Sequence, residues 1–540
     1  MYPCSCVLNE KINYDKIYLF VIPCFSRVFC KQIRILCMRG REMSFSSGTF
    51  LIFFPVVTII YFLIPQRIKY IWLLIASYYF YMGWNVEYAF LIFTSTVITY
   101  VSGLVLERIK KKNISPRQRS RRMKICVAVS VISNLGILGY FKYTQFFYDL
   151  GRKIFALFNV QIMEHNFDIL LPVGISFYTF QALSYTIDVY RDDIYAEKNF
   201  LKYALFVSFF PQLVAGPIER SKNLLVQINE THKFRFENLK IGFVIMLWGY
   251  FLKIVLADKI AIFVDTVYGD YEAYPGWYLV VATALFAVQI YCDFNGYTMI
   301  ARGAAKIMGF SLMENFDAPY LSTSVSDFWR RWHISLTSWL KDYLYIPLGG
   351  SRKGTFRKYI NKMIVFLVSG LWHGASLSFV IWGALNGIYQ VIEEAFGFVM
   401  HRIAEGLQLK GNSLSGKAVK CFFTFVFVDF AWIFFRASSL KEAMAIIKQM
   451  VTVHNPWVLT NGSLYECGLQ EKNFLFMLIC IGVLFVVDLC KRKKVNLIEL
   501  YEKQDWLFQC VFVAVFVTFI LIFGHYGPAY DATNFIYFQF

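Results

Sequence analysis

Two histidines of this 540-residue chain stand where an ionisable side chain is costly. His373 lies in IVFLVSGLWHGASLSFVIWG (364–383), and nothing else between Lys362 and Glu393 exchanges a proton near neutral pH. Ionisable groups at bilayer depth tend to mark a pathway or a site. Neutral imidazole accepts a proton, which is the work of a general base. Ser369, His373 and Ser376 are spaced i, i+4, i+7, which predicts one shared helix face, and Gly370 and Gly374 would let another backbone approach closely. A packing histidine bonded to a carbonyl is the structural alternative.

His333 lies in SVSDFWRRWHISLTSWLKDYLYIPLGG (324–350). Phe328, Trp332, Leu336, Trp339 and Tyr343 recur at helical spacing, with Asp327, Arg330, Arg331, His333, Thr337, Lys341 and Asp342 on the other faces. Ser326 is the expected N-cap, and Pro347 with Gly349–Gly350 is the expected stop. Such amphipathicity predicts a helix lying in the membrane interface or re-entering the membrane against protein. Two further patches carry polar groups at membrane depth. QIYCDFNGYTMIARG (289–303) interrupts an apolar run with Asp293, Asn295 and Gly296, and LPVGISFYTFQALSYTIDVYR (171–191) places Gln181, Tyr185 and Asp188 on one face. His165, His232, His401 and His454 fall in polar connections, and His525 suits an anchor at the interface. No P-loop, GxSxG elbow or HExxH is present, so soluble-type hydrolase or nucleotide chemistry is not indicated.

The elements that hold these residues follow from composition. The chain is 57% hydrophobic and 17% charged, too apolar for an ordinary soluble protein. Its apolar blocks predict an all-α polytopic membrane protein of about 11–13 spans, since a span takes roughly 20 residues. Residues 363–390 are one such block. Backbone polar groups in lipid must pair internally, so helices are required. The net charge of +18 does not imply nucleic acid, because the basic residues sit in short loops, the positive-inside pattern. ERIKKKNISPRQRSRRMK (107–124), Arg67 with Lys69, and GGSRKGTFRKYINK (349–362) are all expected on the cytoplasmic side. Residues 1–42 conflict with that topology and hold five of the twelve cysteines. Met43 is the expected working start, with 1–42 an upstream extension and 43–540 a single membrane domain. The other cysteines show no metal-ligand spacing and read as small packing residues.

In order along the chain, PVGISFYTFQALSYTIDVYR, FFPQLVAGPIER (209–220), YCDFNGYTMIARGAAKIMGF (291–310), SDFWRRWHISLTSWLKDYLYIPLGG (326–350), SGLWHGAS (369–376) and FIYFQF (535–540) resemble the membrane-bound O-acyltransferases, most closely the bacterial alginate O-acetyltransferase branch. The resemblance runs from about Met43 to the C-terminus, and the family's DFSGYS is DFNGYT here. It implies a bowl of helices with re-entrant or interfacial helices around a central tunnel in the bacterial plasma membrane. His333 and His373 match the family's two functional histidines, the second being the base, with Asp293, Asn295, Asp327, Arg330, Ser369, Gln181 and Tyr185 as supporting polar groups. It implies no bound cofactor and a cytoplasmic acyl thioester donor such as acetyl-CoA, whose phosphates Arg352, Lys353, Arg357 and Lys358 are candidates to attract. An extracytoplasmic polysaccharide is the implied acceptor, reached through a separate SGNH-type acetyltransferase. D-alanylation of teichoic acid from an acyl carrier protein is one alternative, which the YIPLGGSRKG continuation disfavours. A proton-coupled transporter is the alternative of another class, but it would be expected to show repeat symmetry, which the sequence lacks.

Overall fold

The computed structural model describes residues 43–167, 169–214, 216–406, 413–526 and 536, with backbone alone at 398–401 and 403–406. The expected extension 1–42 lies outside the described residues, as does most of the terminal FIYFQF. The described residues form helices and connections, with no β-strand among them. The principal helices are α1 (Gly48–Leu63), α2 (Lys69–Met82), α3 (Val86–Lys111), α4 (Pro116–Leu157), α5 (Ile175–Tyr190) and α6 (Phe200–Ser208). Then come α7 (Phe236–Gly269), α8 (Trp277–Ile307), α9 (Val325–Arg331) and α10 (Ile334–Leu340). The last six are α11 (Thr355–His373), α12 (Leu377–Gly406), α13 (Leu414–Arg436), α14 (Leu440–Thr452), α15 (Glu471–Arg492) and α16 (Trp506–Phe523).

Seven of these, α3, α4, α7, α8, α13, α15 and α16, are long and apolar enough to cross a membrane. The chain is therefore an all-α polytopic membrane protein, as its composition requires. The larger number of spans expected from apolar blocks included pieces that form shorter helices, such as the 14-residue α2 and the 16-residue α5. The block 363–390 is not one span: α11 ends at His373 and α12 begins at Leu377.

Helices α7 and α8 form an antiparallel seam. A Cβ on Gly242 would lie 2.6 Å from the Gly303 carbonyl oxygen, and one on Gly249 would lie 2.7 Å from that of Gly296. Only glycine permits such contact, and close backbones are the means by which helices associate in lipid. One turn further along the same seam, Lys253 pairs with Asp293 at 2.6 Å and with Asp258 at 2.8 Å, all three buried. Lys253 lies in a π-helical stretch, Phe251–Ala257, of α7. Asp293, Asn295 and Gly296 interrupt the apolar run without interrupting α8. The helix is continuous through these residues because Asp293 has its charge answered and Gly296 is a packing contact.

Polar contacts gather the basic connections at one end. Lys110 pairs with Asp192 at 2.5 Å, and Arg191 donates to the Asp342 carbonyl at 3.0 Å. Arg220 pairs with the Asp342 carboxylate at 3.2 Å, and Lys222 with Asp193 at 3.4 Å. An apolar crevice of about 590 Å³ lies between α1 and α7, and a polar one of about 330 Å³ lies near Arg67 and Lys202. Neither is lined by His333 or His373.

Candidate active site

The segment around His333 is two helices, where the apolar stripe had predicted one. Ser324, not Ser326, is the N-cap of α9, its hydroxyl accepting from the Asp327 N–H at 3.0 Å. Helix α9 ends at Arg331, and His333 adopts φ 45°, in the left-handed region. A non-glycine residue there is uncommon and strained, and such positions cluster at functional sites. Helix α10 then starts at Ile334. Around the break, the Ile334 N–H donates to the Asn315 carbonyl at 2.9 Å, and the Ser335 N–H to the Asn315 side-chain oxygen at 3.3 Å. The turn removes His333 from the polar face on which a continuous helix would have placed it, and buries it completely.

The second histidine is also placed by a helix end. His373 is the last residue of α11, and Gly374, at φ −156° and ψ 150°, leads out of the helix. Three residues later the chain returns as α12, so IVFLVSGLWHGASLSFVIWG is a helical hairpin. Ser376 lies in the turn and does not share a helix face with His373, whereas Ser369 does and is buried. The expected close approach of another backbone is present at Gly370, whereas Gly374 meets a side-chain ring. A Cβ on Gly370 would lie 2.3 Å from the Phe379 carbonyl oxygen, one on Gly374 would lie 2.1 Å from the Phe379 ring, and one on Gly383 would lie 2.3 Å from the Phe366 carbonyl oxygen.

These two breaks bring residues 40 positions apart together: the imidazole centroids of His333 and His373 are 6.2 Å apart, with the rings inclined at 60°. Aromatic rings enclose them. His333 faces Phe294 at 4.7 Å, Trp372 at 5.7 Å and Phe177 at 6.3 Å. His373 faces Trp372 at 4.9 Å, Trp382 at 5.0 Å and Phe435 at 5.4 Å. Trp432 packs on Trp332 at 5.1 Å and on Trp382 at 5.7 Å. The indole nitrogens of Trp332, Trp372 and Trp432 are buried without an acceptor among the described residues. An indole N–H can only donate, and a buried donor left unmade is expensive. This aromatic enclosure, or chamber, thus holds two imidazoles and three indole N–H donors among aromatic carbon.

The other expected site residues fall elsewhere. Asp293 belongs to the α7–α8 seam, and it accepts the Ile536 N–H at 2.8 Å; its neighbour Phe294 is the residue that reaches His333. Asn295 is buried on the same helix. Gln181 donates to the Phe206 carbonyl at 2.5 Å, and the Tyr185 hydroxyl accepts from the Glu197 N–H at 3.0 Å. Both hold α6 and its lead-in, while Phe177 and Phe180 form the face of α5 that meets the chamber. Asp327 binds Arg331 at 3.1 Å, Arg492 at 3.2 Å and the exposed Arg330 at 3.4 Å, a bracing cluster at the start of α9. Of the basic loop, Arg352, Lys353 and Arg357 are exposed, whereas Lys358 and Lys362 both pair with Glu394. Sequence reasoning named Trp332 only as part of an apolar stripe and missed Trp372, Trp382, Trp432 and Phe435. It also missed Lys142, which donates to the Trp372 and His373 carbonyls at 2.8 and 3.0 Å. The available signal was a lysine set among aromatics near the end of an apolar run, GYFKYTQFF (139–147).

Residues 196–427 match the model of the membrane-bound O-acyltransferase family. The probable alginate O-acetylase of Pseudomonas putida is 40% identical over 405 residues, covering 74% of this chain and 79% of that protein. The peptidoglycan O-acetyltransferase of Helicobacter pylori is 33% identical over 451 residues, 77% of this chain and 81% of that one. The teichoic acid D-alanyltransferase of Bacillus subtilis is 29% identical over 237 residues, only 40% of this chain and 57% of that one. The chain belongs to the membrane-bound O-acyltransferase family and is an O-acyltransferase.

Proposed function

We propose that this protein moves an acetyl group from a cytoplasmic thioester, acetyl-CoA, across the bacterial plasma membrane for O-acetylation of an extracytoplasmic polysaccharide. Transfer to the glycan is completed by a separate SGNH-type acetyltransferase. The observation that carries the reading is the buried pair His333 and His373, with ring centroids 6.2 Å apart and tryptophan and phenylalanine rings packed around them. The relatives named as polysaccharide and peptidoglycan O-acetylating enzymes match over about three quarters of this chain, which favours acetyl over D-alanyl transfer.

The chemistry follows from the groups present. Neutral His373 takes the proton of the attacking hydroxyl as the oxygen adds to the thioester carbonyl carbon. The tetrahedral oxyanion is met by N–H donors, for which the Trp372 indole, beside both imidazoles, is the first candidate. Collapse breaks the C–S bond, and protonated His373 returns its proton to the departing thiolate. General base catalysis of this kind contributes roughly 10²–10⁴ in rate. Helix α11 has 19 residues, about 28 Å of rise, between the basic loop and His373. Arg352, Lys353 and Arg357 at its start are free to meet the donor's phosphates, with Lys358 held by Glu394.

The test is incubation of purified protein in lipid nanodiscs with labelled acetyl-CoA and a hydroxyl acceptor, glycan or partner. Release of free CoA matched by acetyl ester formation is the expected result. Exclusive use of a D-alanyl carrier, or binding without turnover, contradicts the proposal.

A further inference from the structure

A helix that stops against protein leaves four carbonyls without helical partners, and each needs a donor where water does not reach it. Helix α11 stops at His373, and every one of its last four carbonyls has a donor. Gly370 accepts the Gly374 N–H at 3.2 Å. The other three are served by two consecutive residues of α4: Tyr143 Oη donates to Leu371 at 2.6 Å, and Lys142 Nζ to Trp372 at 2.8 Å and to His373 at 3.0 Å. Helix α4 is otherwise peripheral. Its buried face runs through Ser130, Asn134 and Leu138, with Asn134 accepting from Ser95 on α3 at 2.6 Å. Lys142 continues that row at the same four-residue spacing.

We propose that Lys142 is a positioning residue for acyl transfer. It caps the C-terminus of α11 and thereby fixes the ring of His373 against His333. A lysine near a helix C-terminus can donate to the last carbonyls. Its side-chain nitrogen spans the carbonyls of the very residues, Trp372 and His373, whose side chains wall the chamber. Without it, the Trp372 and His373 carbonyls lose their partner, and the last turn of α11 can unwind or rotate. Displacement of a reacting group by about 1 Å can cost on the order of 10²-fold in rate. The α11–α12 hairpin fixes the backbone of His373 from one side, through Gly370 and Gly374, and α4 fixes it from the other.

The inference rests on the acyltransferase reading for its kinetic arm, so its test has a second arm that does not. In nanodiscs, Lys142→Met is expected to lower kcat about 10–100-fold, with KM for acetyl-CoA within about threefold of wild type. Lys142→Arg, which keeps cationic donors, is expected to recover at least tenfold of that loss. Tyr143→Phe, which removes one of the three bonds, should lower kcat only a few-fold. Hydrogen–deuterium exchange on the same proteins should show at least tenfold faster exchange in Lys142→Met for peptides spanning 366–376, with α7 and α8 unchanged. Wild-type turnover in Lys142→Met overturns the proposal, as does unchanged exchange at 366–376. Uniformly faster exchange across the chain, or an equal loss in the Arg variant, shows a general folding role and overturns it too. If the wild-type protein transfers no acetyl group, the function above fails, and the exchange arm alone decides whether Lys142 caps α11.

Discussion

Two helix pairs in this molecule are drawn together by glycine, and they use the closeness for different ends. Along α7 and α8, Gly242 meets Gly303 and Gly249 meets Gly296, and the next polar group on the seam is a buried ion pair, Lys253 with Asp293 at 2.6 Å. Along α11 and α12, Gly370 and Gly383 bring the backbones equally near, but the polar group is His373, at the point where the helix stops. The first seam answers its charges with one another and becomes architecture. The second has its backbone carbonyls answered by Lys142 and Tyr143, and it sets the imidazole among a second imidazole and tryptophan rings. A polar residue in a membrane is thus not functional by virtue of being there. What separates the two seams is what surrounds the polar group: a buried countercharge in the first, a second imidazole and aromatic rings in the second.

That contrast breaks first at Lys253. Removing one partner of a buried ion pair costs about 3–5 kcal/mol because a charge is left unanswered. Lys253→Met should therefore cut the folded protein recovered from membranes at least tenfold by fluorescence-detected size exclusion; normal recovery and an unchanged melting temperature would show that the seam is not structural. The next largest effect is expected in the chamber. Trp372→Phe keeps a ring but removes an N–H, and losing an oxyanion donor costs on the order of 10²-fold in kcat. If the donor lies elsewhere, kcat in that variant will stay within about twofold of wild type while folding is unaffected. Gly383→Ala forces a methyl group toward the Phe366 carbonyl and should destabilise the hairpin by about 1–3 kcal/mol, read as a lowered melting temperature. The smallest effect belongs to the exposed loop. Arg352→Gln with Arg357→Gln should raise KM for acetyl-CoA about three- to tenfold at low salt, with kcat unchanged, and the difference should shrink as ionic strength rises.

The fold class and the two histidines could be read from the sequence because both depend on local composition. Long apolar blocks require helices, and a lone His373 in such a block has few ordinary explanations. The glycines beside it were legible for the same reason, since Gly370 does meet another backbone. The helix ends were not. Periodicity assumes an unbroken helix, and nothing in WRRWHIS announces a left-handed histidine at 333, a conformation held by Asn315 from outside the segment. Asp293 and Gly296 read as polar breaks in an apolar run because their partners, Lys253 and Gly249, lie 40 and 47 residues away on α7. Lys142 was hidden by distance: its acceptors are 230 and 231 residues further along the chain. Gln181 and Tyr185 sat on the correct helix, yet their bonds go to Phe206 and Glu197, away from the chamber.

The most direct test of His373 as the base is acetyl transfer by His373→Ala, measured beside wild type as cell-surface acetyl esters with the membrane protein level quantified in the same cells. A base role predicts transfer lowered by at least about 10²-fold with the protein inserted at its normal level. Near-normal acetylation would contradict that role, and loss of the protein would make His373 a structural residue.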